Sequence, residues 1–333
     1  MKTEGTGTPQ TVLVTGGCGY IGSHVVRQLS LAGHKTVILD DLSTGFRELL
    51  TPGAVLVEGN CADKSLVTKI IRDHKISTVM HFAASTVVPE SVANPVKYYK
   101  NNVGGSLSLI EASLEAGVRN FIFSSTGSVY GEAAPVPVSE HYRPEPTNPY
   151  SRSKLITETM LRDISALTGL KYVILRYFNV AGADPDGRQG QKSKNATHLI
   201  KIASEVACGK RKSLSVFGMD YDTPDGTGVR DYIHVEDLAS AHLAAMLHLA
   251  RGGESDTFNC GYGHGFSVLE VIKAVEAVTG KQLEVKIEPR RPGDISSSVA
   301  DNEKIKEKLG WNPQYDDLKL IVEHAVQWEK SLN

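Results

Sequence analysis

Tyr150 and Lys154 stand four residues apart in the run Y-S-R-S-K, so on a helix they share one face. An ammonium held near a phenol favours the phenolate and lowers its pKa. A phenol tuned in this way can take a proton from a sugar alcohol near neutral pH. Thr126 ends a strand-like run, Ser124-Ser125-Thr126, and offers a hydroxyl that could hold the same alcohol from the other side.

A redox partner for such chemistry is suggested near the start of the chain. Gly16, Gly19 and Gly22 are spaced G-x-x-G-x-x-G between a short β-branched run and a helical one. Glycines in this context let the backbone turn tightly and approach a pyrophosphate, which the helix N-terminus then receives. Asp40 closes the second strand-like run. Its carboxylate can accept bonds from an adenosine ribose and disfavours a 2′-phosphate by charge, so NAD is expected over NADP.

The elements that must position these residues alternate. Strands are expected at 11–15, 36–39, 55–57, 78–82, 120–125 and 172–177, with helices at 21–32, 64–74, 96–115 and 151–167. This is the rhythm of an α/β protein with a Rossmann-type, doubly wound parallel sheet. The apolar, little-alternating strands agree with burial on both faces. After Ala181 the rhythm breaks. Residues 184–195 and 218–228 read as loops. Helices are expected at 197–208, 237–250, 267–279 and 301–309, and a strand at 257–260 could return to the main sheet. The expected organisation is a cofactor domain at 11–181, rejoined by about 229–261, and a smaller C-terminal α/β substrate lobe at 182–228 and 262–333, with 1–10 a flexible tail.

The formal net charge of −2 gives no nucleic-acid footprint. No apolar run is long enough to span a bilayer, and the polar first ten residues do not read as a signal peptide. Cys18, Cys61, Cys208 and Cys260 are scattered, as expected of reduced thiols in a cytoplasmic protein. No Cys/His grouping has metal-ligand spacing, so no metal is expected.

The segments T-G-G-C-G-Y-I-G-S, F-S-S-T-G-S-V-Y-G, N-P-Y-S-R-S-K, R-D-Y-I-H-V-E-D-L and P-R-R-P-G-D together make the chain resemble an extended short-chain dehydrogenase/reductase. Within that superfamily it resembles the UDP-glucose 4-epimerase family. The resemblance implies C4 inversion of a UDP-hexose through a transient 4-keto sugar. Tyr150 would be base and acid, Lys154 would bind the nicotinamide ribose and tune it, and Thr126 would hold the 4-hydroxyl. NAD would be lined by Gly16, Gly19, Tyr20, Ile21 and Gly22, by Asp40, Asp41, Ser43, Thr44 and Gly45, and by Asn60 and Cys61. Phe82, Ala83, Ala84, Thr86, Asn101, Ser124 and Tyr177 would complete that lining. The UDP-sugar would meet Phe178, Asn179, His198, Leu199, Ser215 and Phe217, then Arg230, Arg291 and Asp294. Independently, a diphosphate needs guanidinium donors, which Arg230 and Arg291 could supply from separate segments. His234 and Asp237 are expected to support a helix start, Asp237 as cap or dipole partner.

The chain departs from the family pattern at Asn60, commonly an aspartate there, and at Thr86, a lysine in some members. Ser298 matches a position that gates the sugar pocket. A serine there implies room for UDP-GlcNAc and UDP-GalNAc besides UDP-glucose and UDP-galactose. The resemblance further implies a homodimer through the 96–115 and 151–167 helices. A UDP-pentose 4-epimerase, acting on UDP-xylose and UDP-arabinose, and a non-catalytic NAD-binding sensor remain as alternatives.

Overall fold

The computed structural model describes residues 9–132, 134–193, 196–291 and 294–332. Residues 1–8 of the expected tail, 194–195 of the first expected loop and 292–293 of the P-R-R-P-G-D segment lie outside the described residues.

The chain opens β1 (Thr11–Thr15), α1 (Tyr20–Leu31), β2 (Lys35–Asp40), β3 (Val55–Glu58), α2 (Lys64–His74) and β4 (Thr78–His81). It continues α3 (Val88–Ala93), α4 (Pro95–Tyr98), α5 (Gly105–Glu115), β5 (Asn120–Ser124), α6 (Pro149–Ser165), β6 (Lys171–Tyr177) and β7 (Asn179–Ala181). Then come α7 (Leu199–Ala207), β8 (Leu214–Phe217), β9 (Val229–Arg230), β10 (Tyr232–His234), α8 (Val235–Ala250) and β11 (Asp256–Cys260). The last elements are β12 (Phe266–Ser267), α9 (Val268–Thr279), β13 (Val285–Glu288), β14 (Ser297–Ser298), α10 (Glu303–Leu309) and α11 (Leu318–Ser331).

Seven strands form the main sheet in the order β11-β6-β5-β4-β1-β2-β3. From β6 to β3 the neighbours pair in parallel. Val, Ile and Leu run along these strands without alternation, and Leu13, Val79, Phe121 and Ile174 are fully buried, as a sheet covered on both faces requires. The order reverses between β1 and β4. Open α/β sheets leave a crevice outside the carboxyl strand ends at such a switch point.

One expected helix is corrected. Residues 96–115 do not form a single helix: a π-helical segment, Tyr99–Gly104, separates α4 from α5. Such bulges are common at functional sites. Of the two roles expected of Asp237, its position fits the dipole partner and not the cap: it lies in the first turn of α8, where its carboxylate also accepts the backbone N–H of Gln314 and Tyr315 (both 2.8 Å) and the Tyr262 hydroxyl (2.6 Å). His234 does support that helix start, its Nδ1 accepting from Glu236 N.

The chain divides into two compact units. One comprises the residues up to Val129, Asn148–Arg176 and Ala239–Phe258. The other comprises Tyr130–Thr147, Tyr177–Leu238 and the residues from Asn259 onward. This second unit contains small sheets: β10 with β7, β12-β9-β14, and β13 parallel to β8. Most of its strands are two to four residues long. Buried Asp231, between β9 and β10, anchors the segments that follow β11 and β14, accepting from Tyr262 N, Gly263 N and Ala300 N at 2.9–3.2 Å. Burial pushes that carboxyl up to about 6.

Candidate active site

The glycine turn fits a dinucleotide on its own geometry. Gly16 has φ +72°, and a Cβ there would lie 2.7 Å from Ala83 N. A Cβ on Gly22 would overlap the Gly16 carbonyl oxygen. The backbone is thus drawn into a bend that excludes side chains. α1 begins after Gly19, which offers no side-chain cap, so the first N–H groups of the helix face outward for an anion. Tyr20 and Ile21 open α1, and the Tyr20 ring meets His24 edge-on.

Asp40 is buried at the end of β2. Its two oxygens accept Cys18 N and Leu42 N, each at 2.9 Å, and Gly45 passes close beside them. Burial raises its pKa against these bonds. Asp41 is exposed. It accepts from Ser43 N and Oγ, and from Asn60 Nδ2 at 3.1 Å. Asn60 therefore does something an aspartate could not: its amide donates to the neighbouring carboxylate. Thr44 is exposed and Cys61 buried, the latter a thiol pushed up to about 11 by burial. Phe82, Ala83 and Ala84 follow β4, with Phe82 N bonded to Thr15 O. Thr86 is exposed, and Asn101 lies in the π-helical segment with its amide on Ser85 Oγ.

Thr126, Tyr150 and Lys154 converge at the carboxyl end of β5. Asn148 caps α6, its Oδ1 accepting Ser151 N at 2.9 Å. That cap starts the helix one residue ahead of Tyr150, so Tyr150 and Lys154 point from its first turns to the same side. Tyr150 is buried and its phenol is hydrogen-bonded to Thr126. Lys154 is 4% exposed. Its Nζ donates to Ser124 O at 2.8 Å and sits 4.9 Å from the Phe123 ring centroid.

The expected lowered phenol pKa is corrected by these surroundings. Burial pushes Tyr150 up to about 12, with the Thr126 bond acting in the opposite direction. Burial also brings Lys154 down to about 8, opposed by Glu158. In the chain by itself Tyr150 is a neutral phenol at pH 7. Its ionisation needs more positive charge than Lys154 brings from where it is tethered.

Sequence reading missed several supporting groups. Glu158 lies four residues beyond Lys154 and is fully buried. It accepts from Ser125 Oγ (2.5 Å), Arg176 Nε (3.0 Å) and Arg162 (2.8 Å). His242 Nε2 bonds Ser124 Oγ at 2.8 Å. His81 links Thr15 and Ser106 and is held neutral, its pKa brought down to about 3 by burial and then by Lys154. Glu158 was findable as the next residue on the Tyr150–Lys154 face. His242 lies 118 residues from its partner and had no local signal.

In the second unit, Tyr177 closes β6, Phe178 follows it, and Asn179 opens β7 with its N–H on Asp231 O at 3.0 Å. Asn179, His198 and Leu199 line one small cavity together with Tyr232 and Trp328. Ser215 and Phe217 lie on β8, paired with Lys286 and Glu288 of β13. Arg291 stacks over Phe217 at 4.1 Å, and its Nε donates to Asp294 at 3.2 Å. Arg230 donates to the carbonyls of Val229 and Ile295, each at 2.8 Å. Ser298 is paired with Arg230 across β14 and β9. Among the described residues, no cluster of three or more His, Cys, Asp or Glu could hold a metal.

A family model described as the NAD dependent epimerase/dehydratase family matches residues 12–261. A UDP-glucose 4-epimerase of Azospirillum brasilense is 53% identical over 330 residues, covering 99% of this chain and 95% of that one. The crystal structure of the Brucella ovis UDP-glucose 4-epimerase in complex with NAD superposes with TM-score 0.94 at 43% identity, covering 96% of this chain and 98% of that one. The UDP-Glc/GlcNAc 4-epimerase of Campylobacter jejuni gives TM-score 0.84 at 48% identity, covering 96% and 99%.

Proposed function

The chain belongs to the NAD dependent epimerase/dehydratase family, and we propose that it interconverts UDP-glucose and UDP-galactose by inverting C4, with NAD as its bound cofactor. The observation that carries this reading is the meeting of Thr126, Tyr150 and Lys154 at the end of β5, in the same unit as the glycine turn.

NAD, when bound, supplies the hydride acceptor and donor for C4 and, in its oxidised form, a positive charge that favours the Tyr150 phenolate. Gly16, Gly19 and Gly22 admit its diphosphate to the start of α1. Lys154 orients its nicotinamide ribose, and Asp40 its adenosine ribose. Thr126 orients the C4 hydroxyl, and Tyr150 takes its proton. Tyr150 gives the proton back once the transient 4-keto sugar has presented its other face. Arg230, Arg291 and Asn179 hold UDP, so most binding energy lies away from the sugar and leaves it free to turn.

The test is conversion of UDP-galactose to UDP-glucose by the purified protein without added NAD. Tyr150→Phe should lower turnover by about 10²-fold or more. Turnover retained in that variant would refute the assignment.

Three finer points belong to the same reading. The small Ser298 side chain supports acceptance of UDP-GlcNAc and UDP-GalNAc. Exposed Val92, Val96, Leu107 and Ile156 on α3 to α6 support a homodimer that covers them. The four free cysteines support a cytoplasmic location. NAD is assigned to the unit built on β1 to β6, and UDP to the unit carrying Asn179, Arg230 and Arg291.

A further inference from the structure

Tyr221 is 7% exposed. Its hydroxyl has no hydrogen-bond partner among the described residues. A buried O–H left without a partner is costly, so its surroundings matter. The ring lies between Gly218 and Arg290. The Arg290 guanidinium stacks at 4.0 Å from the ring centroid, and a Cβ at Gly218 would come within 2.6 Å of the ring edge. Arg290 is itself fixed, its Nε donating to Asp220 Oδ1 at 2.7 Å. One step away on the same segment, Phe217 carries Arg291 at 4.1 Å. Tyr221 thus sits under the Arg290-Arg291 pair, and Arg230, Arg291 and Asp294 all act electrostatically on its phenol. Burial and Asp294 raise the phenol's pKa, so it remains a donor at neutral pH.

We propose that the Tyr221 hydroxyl is a binding group for the diphosphate of the nucleotide sugar, donating to a phosphoryl oxygen between the arginines. An acceptor arriving among three guanidinium groups has to be anionic. A phosphoryl oxygen both takes the orphan O–H and neutralises the cations. The inference rests on the UDP reading above.

The test is Tyr221→Phe in the protein as purified. Calorimetric affinity for UDP should fall by about tenfold or more. KM for UDP-galactose should rise by a similar factor with kcat within about twofold, the signature of binding shared by ground and transition states. The ligand-free melting midpoint should stay level or rise, because the lost hydroxyl had no partner in the chain. UDP affinity within about twofold of the unsubstituted chain, or a lowered ligand-free midpoint, would overturn the inference. If the unsubstituted chain itself fails to bind UDP, the proposed function falls as well. UDP binding that is strong and indifferent to Tyr221→Phe sinks only the role of Tyr221.

Discussion

Lys154 Nζ donates to the main-chain carbonyl of Ser124 at 2.8 Å, and Glu158 draws its pKa upward while burial brings it down to about 8. The folded chain therefore favours the neutral amine relative to the unfolded chain, where the ordinary value is 10.5. Below pH 8 the amine is charged in both states and the cost of burying that charge is fully present. Between pH 8 and 10.5 the unfolded state binds more protons, so the cost disappears as pH rises. Lys154→Met should accordingly raise ligand-free stability by ~1–3 kcal/mol below pH 8, with the gain vanishing toward pH 10.5. Paired thermal melts of the two proteins at pH 7, 9 and 10 read this directly. A difference independent of pH would show that Lys154 is not buried as a cation.

What was legible in the sequence was what is local. The glycine turn and the Tyr150–Lys154 spacing each fit within two helical turns, so their geometry follows from backbone rules alone. The main sheet was legible because its strands are long enough to show an apolar run. β7, β9, β10, β12 and β14 have two or three residues each, too few for any periodicity, and each pairs with a segment distant in the chain. α11 is absent from the expected elements although it carries a local signal, the Asp317 cap followed by apolar residues at helical spacing. The break at Tyr99–Gly104 was hidden because Asn101, Asn102 and the glycines read as tolerable helix interior. The phenol pKa is not legible in the spacing, because the i,i+4 rule gives proximity of side chains and not the carbonyl that captures the ammonium.

Glu158→Gln should be strongly destabilising. The carboxylate is fully buried and carries Arg176, Arg162 and Ser125. Removing its charge strands the buried Arg176 guanidinium, a change that costs about 3–5 kcal/mol. It also removes the influence that raises the Lys154 pKa, so that group should titrate below 8. Urea unfolding and a pH profile of turnover separate the two effects. A variant as stable as the parent would mean that Arg176 finds another partner.

Gly22→Ala should cost cofactor retention before it costs the fold. The added methyl meets the Gly16 carbonyl oxygen, which forces α1 away from the turn rather than disturbing the strands behind it. Overpacking of this kind costs about 1–3 kcal/mol, which a core of this extent can absorb. The expected result is protein that purifies folded, with its NAD content reduced and turnover restored in part by added NAD. NAD content equal to the parent's would contradict the close approach seen here.

Ser298→Tyr tests the sugar range. Ser298 is held along its ladder with β9: it pairs with Arg230, and its carbonyl accepts Asp231 N at 3.0 Å. Asp231 also fixes Ala300 N at 3.2 Å. A side chain at position 298 therefore has little freedom to retreat by moving its backbone, and a bulky residue must occupy space rather than swing away. If the serine leaves room for an N-acetyl group, the tyrosine should lower kcat/KM for UDP-GlcNAc by about 10²-fold while UDP-galactose changes by less than about threefold, since discrimination by added steric bulk acts only on the larger substrate. Loss on both substrates would point to damage at Arg230 instead of a gate. Unchanged N-acetyl turnover would move the size limit to another wall of the pocket.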